Sequence, residues 1–432
     1  MNRPFYLALG ILLMAGFPTT AQQIVTLREC YEFAAKTSPI NSEKSVYDQI
    51  RQMKESNHSK GWLPTIDANG SFIYNSSVID LTEAMGSLPL PGISDMIRPM
   101  PHEQYKMTLE INQLIYDGGT IRMAKSLEMA EFHAQEKQTE SDLYKIRSQV
   151  NTYYFNLLLL GKQEELLNTF LETILARLAS MEAAIRNGVI IPAERDVILA
   201  EKLGLEQQLF ENGLQKESLL KVLSNITGFT FDKNTRLVIP LAEVRQEQTL
   251  SRPELQIFDL RKYQLDVSMK LLDSKRRPKV FGFATLGYGN PPGNNFFKDE
   301  FAPFAIVGAG VRWNVFDWSK TSNEIQIIHY QKDLADTRKA DLSAQLNRLL
   351  ETKMAEIKNL EARLETGSEL VAIRKRISAT AGSKFENGVI TATEFIHEFN
   401  AEKQAVINLE IHRIQLALSK VEYLNISGIE IN

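Results

Sequence analysis

The tetrapeptide Asn187-Gly188-Val189-Ile190 returns as Asn387-Gly388-Val389-Ile390, and this shift of 200 residues decides how the rest of the chain reads. Asn225-Ile226-Thr227-Gly228 returns at the same shift as Asn425-Ile426-Ser427-Gly428. Asp117, after Ile115-Tyr116, matches Asp317, after Val315-Phe316. Upstream, Ser38-Pro39 matches Arg252-Pro253 and Pro64 matches Pro278, both shifted by 214. Landmarks recurring in one order are the mark of an internal duplication. The change from 214 to 200 gives the first copy a loop 14 residues longer, between Pro64 and Asp117.

Each copy has the same internal order. A helical stretch (Leu27 to Lys60, and Pro253 to Arg276) precedes two strand-like stretches separated by a loop. A very long helical stretch follows, then the Asn-Gly break, then a second helix stopped by Gly228 or Gly428, the residue type that favours a helix C-terminus. The long stretches, Gly118 to Arg186 and Ser319 to Glu386, contain no proline. At 1.5 Å per residue such helices run roughly 100 Å. Their apolar residues recur in steps of three and four, as in Leu143, Ile146, Val150, Tyr154 and Leu157, or Leu346, Leu350, Met354, Ile357 and Leu360. So narrow a stripe suits coiled helix-on-helix packing.

The strands alternate instead. Tyr105, Met107, Leu109 and Ile111 alternate with Lys106, Thr108, Glu110 and Asn112, and Ile66, Ala68, Gly70 and Phe72 with Asp67, Asn69 and Ser71. Ala305, Val307, Ala309 and Val311 continue the pattern in the second copy, while Val280 to Tyr288 shows it most weakly. About ten residues of alternation fits a membrane β-strand, and a half-buried soluble sheet gives the same pattern. The N-terminus separates the two. Arg3, an apolar run from Phe5 to Phe17 and small residues up to Ala21 read as a signal peptide over 1–21, cleaved after Ala21. Loss of Arg3 leaves 48 basic against 53 acidic residues, a mature charge of −5. No later stretch is long and apolar enough for a membrane helix. Export without such a helix, together with amphipathic strands, favours a closed barrel. Aromatics at the helix–strand junctions, Trp62, Tyr116, Trp313 and Trp318, fall on one side of that barrel, where an interfacial belt belongs. Four strands per chain cannot close a barrel, so several chains must contribute.

Composition excludes other classes. At 432 residues and a formal charge of −4, with no basic stripe, the chain has no nucleic-acid footprint. Cys30 is the single cysteine and reads as a buried thiol. The six histidines have no metal spacing, and no phosphate loop or nucleophile–base set is visible, so neither an enzyme nor a cofactor is expected.

The duplicated order of helix, two strands, long helix, turn and helix resembles the TolC family of outer-membrane efflux proteins. Trp62-Leu63-Pro64, Tyr116-Asp117-Gly118-Gly119, Phe316-Asp317-Trp318, Pro253-Glu254-Leu255 and the two Asn-Gly-Val-Ile turns carry the resemblance. It implies a mainly α chain with membrane β. Three chains form a TolC-like homotrimer with a 12-stranded β-barrel, four strands per chain, continued by a long α-helical coiled-coil tunnel through the periplasm. It implies an outer-membrane location in a Gram-negative cell and contact with outer-membrane lipid. The partners are a periplasmic adaptor (membrane fusion protein) and an inner-membrane pump, in efflux or type I secretion. The expected organisation is a signal peptide over 1–21, a first repeat over 22–228, an equatorial linker over 229–250 and a second repeat over 251–432. Asn187, Gly188, Val189 and Ile190, with Asn387, Gly388, Val389 and Ile390, form the periplasmic tip in this reading. The apolar, proline-rich loop near 81–100 lies outside the cell, over the barrel mouth or against its own chain.

In that family polar links close the tip and an acidic ring narrows it. Counting from Gly388, its aromatic position falls on Phe385, its basic position on Ile390 and its acidic position on Glu394, with Glu194 as the first-copy counterpart. Phe385 has no hydroxyl and Ile390 no charge, so the family's latch is missing here. The expectation is a gate of apolar contacts among Phe385, Val389 and Ile390, with Glu394 crowding the pore and His397 one helical turn further on. The competing reading makes Glu394 an ordinary first-turn acid, favoured at any helix start. A periplasmic coiled-coil adaptor remains the alternative function; it accounts for long helices but not for duplicated strands.

Overall fold

A computed structural model of the chain describes residues 24–79, 99–186, 191–232, 235–245, 249–295 and 298–431. The signal segment, most of the first long loop and the turn Asn187–Ile190 lie outside the described residues.

The chain opens with β1 (Ile24–Val25) and α1 (Leu27–Thr37). Thr26 starts α1 as one half of a capping box. Its hydroxyl accepts the Glu29 N–H at 3.3 Å, and the Glu29 carboxylate accepts the Thr26 N–H at 2.8 Å. Leu27, Cys30, Tyr31 and Ala34 share one buried face, at the i, i+3, i+4, i+7 spacing of an amphipathic helix. The single helix expected over Leu27 to Lys60 is broken here. Ser38 stands at φ −59°, ψ 128°, because the proline after it disfavours the helical region. A short 3-10 turn at Pro39–Ser42 leads into α2 (Glu43–Lys60).

Two strands follow, β2 (Thr65–Tyr74) and β3 (Glu103–Tyr116). Next come α3 (Thr120–Arg186) and α4 (Pro192–Thr227), then the two-residue β4 (Arg236–Leu237). The second copy repeats the order with α5 (Pro253–Lys275), β5 (Lys279–Asn290), β6 (Ala302–Arg312), α6 (Lys320–Glu386) and α7 (Ala392–Ser427). The duplication is close to exact in length: α3 and α6 have 67 residues each, α4 and α7 have 36 each. Gly228 and Gly428 end α4 and α7 in the left-handed conformation, at φ 67° and 84°. A Cβ on Gly228 would lie 2.5 Å from the Thr37 hydroxyl oxygen, so space as well as conformation requires glycine there.

Two compact units cut across both repeats, dividing α3 after Tyr144 and α6 after Leu349. One unit holds α1, α4, α7, the segment after α4 and the distal parts of α3 and α6. Its first core gathers Val25, Leu27, Cys30, Val150, Tyr154, Leu223 and Val421. The Tyr154 hydroxyl donates to the Val238 and Val25 carbonyls at 2.7 and 3.1 Å and accepts the Val238 N–H at 3.0 Å. That one group ties the segment after β4 to β1, which pairs with β4 in parallel. Cys30 is fully buried there, and burial pushes its thiol up to about 12, so it is inert at neutral pH.

The other unit holds the four-stranded sheet with α2, α5 and the proximal parts of α3 and α6. The sheet order is β2-β3-β5-β6, antiparallel throughout, so the two repeats meet at the β3–β5 pair. Three ion pairs join α5 to α6: Lys262–Asp336 at 2.7 Å, Lys332–Asp266 at 2.5 Å and Lys339–Asp259 at 2.7 Å. Lys54 of α2 reaches Glu128 of α3 at 2.9 Å in the equivalent pairing of the first copy. Among the described residues no helix is long and apolar enough to cross a membrane.

Candidate functional site

Register fixes what each face of the sheet offers. Leu109 of β3 stands opposite Ala68 and Leu286, and Met107 opposite Gly70 and Tyr288. Ala284 stands opposite Val307, and Val280 opposite Val311. This face is carbon from edge to edge, and it is bare: Met107 is 73 % exposed, Val307 80 % and Val311 68 %. The opposite face is polar on β2 and β3, where Asp67 faces Glu110 and Asn69 faces Thr108. On β5 and β6 the same polar-side face carries Phe281, Phe283 and Phe304 set against glycines. An exposed apolar face of this size needs an apolar partner.

Aromatics border the apolar face at both ends. At the helix end lie Trp62, Tyr116, Trp313 and Trp318, all partly or largely exposed. Gln113 donates to the Trp62 carbonyl at 2.6 Å, and the Trp313 indole N–H donates to the Arg276 carbonyl at 3.0 Å. At the loop end a second group, absent from the sequence reading, joins Phe72 to Tyr105 at 4.9 Å and Tyr105 and Tyr288 to Phe301 at 5.8 and 6.0 Å. A tyrosine or phenylalanine near the loop end of each of β2, β3 and β5 was the overlooked signal. From Tyr105 to Tyr116 the strand runs about 36 Å at 3.3 Å per residue. Tilted by about 45°, that is roughly 26 Å of height, the thickness of a barrel's lipid-facing band.

The hand-over from strand to long helix is built on aspartate. Asp117 accepts the Gly119 and Ile121 N–H groups at 2.8 and 2.6 Å, and Asp317 accepts the Thr321 N–H at 3.0 Å and its hydroxyl at 2.5 Å. Those bonds to Thr321 hold the Asp317 carboxyl below the usual carboxylate range. The first copy takes the turn with Gly118 and Gly119 at positive φ. The second takes it with Trp318 at φ 53° and Ser319 at φ 62°.

In the other unit, α6 ends at the second Asn-Gly turn. Gly388 has φ 70°, its N–H donates to the Phe385 carbonyl at 3.0 Å, and the Val389 N–H donates to the Lys384 carbonyl at 2.9 Å. The Asn387 side chain donates to the Ser383 carbonyl at 2.8 Å. Val389 stands out at 68 % exposed, and Ile390 is half-buried. Phe385 is interior: it stacks on Phe395 at 5.5 Å inside a core with Phe170, Ile174, Met181 and Phe399. Its contacts are therefore within the chain; Ile390 packs against the same core, and Val389 is the apolar group left exposed at the turn. The carboxylate of Glu394 turns back onto its own helix start. It accepts the Thr391 N–H at 2.8 Å, while the Thr391 hydroxyl accepts the Glu394 N–H at 3.2 Å. That capping box holds Glu394 below the usual carboxylate range. His397 is exposed, 4.0 Å from Glu398. No group of three metal-ligating side chains occurs among the described residues.

Links between the two hairpins of this unit were not legible in the sequence. Glu194 of α4 accepts the Ala392 N–H at 2.5 Å and so caps α7 of the other repeat. Arg177 of α3 pairs with Glu386 and lies 5.4 Å over the Phe395 ring. Burial lowers the pKa of Arg177, leaving it charged at neutral pH. Glu201 of α4 takes Lys403 of α7 at 2.7 Å and Asn400 at 3.0 Å. Polar links thus join the two hairpins within the chain, on residues other than Phe385 and Ile390.

A duplicated chain that contributes a four-stranded stave and two long helical hairpins has the fold of outer-membrane export channels. Solved channels share it: CmeC of Campylobacter jejuni, at 16 % identity and TM-score 0.62, over 93 % of this chain and 85 % of that one. VceC of Vibrio cholerae matches at 14 % and 0.60, over 92 % and 96 %, and the open state of MtrE of Neisseria gonorrhoeae at 13 % and 0.64, over 93 % and 89 %. Residues 56–213 match the model of the Outer membrane efflux protein family. No individually curated protein matches the sequence.

Proposed function

We propose that this chain is the outer-membrane channel subunit of a tripartite export system, a passive exit duct that works as a homotrimer. The observation that carries the reading is the four-stranded sheet, apolar on one face and bordered by aromatics at both ends, whose outer strands β2 and β6 pair with one neighbour each. Inside lipid an open sheet edge leaves backbone groups unsatisfied at several kcal/mol each, so β6 of one copy pairs with β2 of the next. Three copies close twelve strands, the number that the resemblance to TolC-like channels supports. The apolar face then meets lipid and the polar face lines the lumen. An adaptor of the periplasmic hairpin type has no use for such a stave, and the family is one of efflux channels.

The periplasmic tip is the gate in this reading. The Asn187–Ile190 and Asn387–Ile390 turns meet the adaptor, Val389 and Ile390 supply apolar closure, and Arg177–Glu386, Glu194–Ala392 and Glu201–Lys403 hold the hairpins together. Glu394 and His397 stand beside the second turn, and Glu394 serves first as a helix cap. Extraction from outer membranes followed by light scattering tests the assembly. A particle of three chains in mild detergent is the expected result; a detergent-independent monomer overturns the channel.

A further inference from the structure

The proposed lumen face is two-sided. On β5 and β6 it presents phenylalanine rings laid flat over glycines of the adjoining strand. A Cβ would lie 2.6 Å from the Phe281 ring at Gly310, 2.5 Å from Phe283 at Gly308 and 2.2 Å from Phe304 at Gly287. No side chain larger than hydrogen fits beneath these rings, which therefore turn a π-face outward. Phe281 and Phe283 lie 6.4 Å apart and form one strip, while Phe304 stands two rows further on, beyond Thr285 and Ile306. One of them already carries a cation, since the Arg312 guanidinium lies 5.7 Å over Phe281.

Charge on the same face is arranged around the strip. Asp67 stands directly opposite Glu110, and Glu110 opposite Thr285, which sits two residues from Phe283 and two from Gly287. Carboxylates facing each other across a strand pair repel, and diagonal neighbours on one face come within about 7 Å. The acidic row thus borders Phe283, while Phe304 lies over Gly287, opposite Thr108, with Glu110 two residues to one side and Lys106 two to the other. From Phe283 the nearest basic group of β3 is further along: Lys106 is four residues from Glu110, about 13 Å of strand, and Lys279 with Arg312 closes the helix end.

We infer that this face is a binding surface for permeating organic cations that carry aromatic rings, the aromatic part lying on Phe283, with Phe304 two rows further on as a second platform, and the charge facing Asp67 and Glu110. The inference rests on the channel reading, in which this face is the lumen. Ring faces beside a carboxylate row separate an aromatic cation from a small alkyl one by roughly tenfold or more.

The test uses the full trimer in planar bilayers, with probes added on the side of the strand loops. Tetraphenylphosphonium is compared with tetramethylammonium, which lacks rings, and with tetraphenylborate, which has the same shape and opposite charge. The expected result is block by tetraphenylphosphonium at a concentration roughly tenfold below either of the others. Phe283→Ala with Phe304→Ala weakens that block about fivefold or more at unchanged open-channel conductance. Phe283→Leu, which keeps bulk over Gly308 without the ring, weakens it in the same direction should the alanine pair fail to assemble. Asp67→Asn with Glu110→Gln removes the preference over tetraphenylborate. Equal block by all three ions, or block indifferent to both Phe283 variants, overturns the inference and leaves the channel standing. A wild-type chain that forms no trimer in mild detergent overturns the channel reading itself, and this inference with it.

Discussion

Trp318 and Ser319 occupy left-handed positions that the first repeat fills with Gly118 and Gly119. A side chain there costs roughly 1–2 kcal/mol per residue. The strain is held by the Asp317 cap on one side and by Phe316, whose ring meets Trp318 edge-on at 4.9 Å, on the other. Beyond that ring contact, an indole 85 % exposed contributes little to its own unit that offsets such a cost. In the proposed barrel it lies at the lipid interface, where tryptophan is favoured. Trp318→Gly is therefore expected to leave or raise thermal stability in detergent and to lower it in lipid vesicles. Equal shifts in both media would remove the interfacial role.

Glu394 gives a second prediction at this scale. Its folded pKa is depressed, because the ionised form accepts the Thr391 N–H and hydroxyl. A depressed carboxyl contributes stability above its unfolded value of about 4.3 and loses it as pH falls through the folded value. Glu394→Gln should leave a flatter melting temperature between about pH 5 and 3 than the wild type has. A Glu394 serving only as a pore charge would change conductance and leave that slope alone. Arg177→Ala removes both the pair with Glu386 and the cover on Phe395, about 1 kcal/mol for the ring contact. Under the gate reading its closed-state conductance rises in bilayers, and an unchanged closed state would confine Arg177 to packing.

Elements differ in how far the sequence discloses them. The long helices were legible to within two residues at their starts, because apolar steps of three and four run unbroken by proline across 67 residues. β5 was the faintest strand in the sequence and is one of the best paired in the structure. Its alternation is hidden because Gly282, Gly287 and Gly289 have no side chain to show a face, and the ring that covers Gly287 is Phe304 of β6. Thr391 and Glu394 spell a capping box three residues apart, so that role was readable. The Glu194 bond to Ala392 joins residues 198 apart and depends on how two hairpins pack, which no local pattern encodes. At this scale Gly308→Val is expected to displace Phe283 and cost about 1–3 kcal/mol of sheet stability. Gly70→Val on β2, with nothing within 4 Å of its Cβ, should cost far less. Comparing the two variants' unfolding midpoints checks the assignment, and similar losses would mean that the rings move aside.

At the scale of the whole molecule, the two compact units each draw on both repeats, so neither repeat is a folding unit by itself. The sheet shows why: β3 and β5 belong to different copies and share the central pairing, and each copy alone would present a two-stranded hairpin, marginal in water. The same logic carries over to the sheet's edges. β2 and β6 stand to the next copy as β3 stands to β5, and antiparallel pairing sets the helix end of β6 beside the helix end of β2. Cysteine cross-linking reads this directly, because Cys30 is buried with its thiol pushed up to about 12 and does not compete. Cysteines placed singly at Asn69 or Ser71 of β2, combined with one at Ile306 of β6, point to the lumen face from the two outer strands. Under oxidation at least one such pair should give covalent dimers and trimers on a denaturing gel and nothing larger, since a closed ring of three uses up every edge. A ladder continuing past three would mean an open, heterologous edge, and bands confined to the monomer in every register would mean that β2 and β6 do not meet between copies at all.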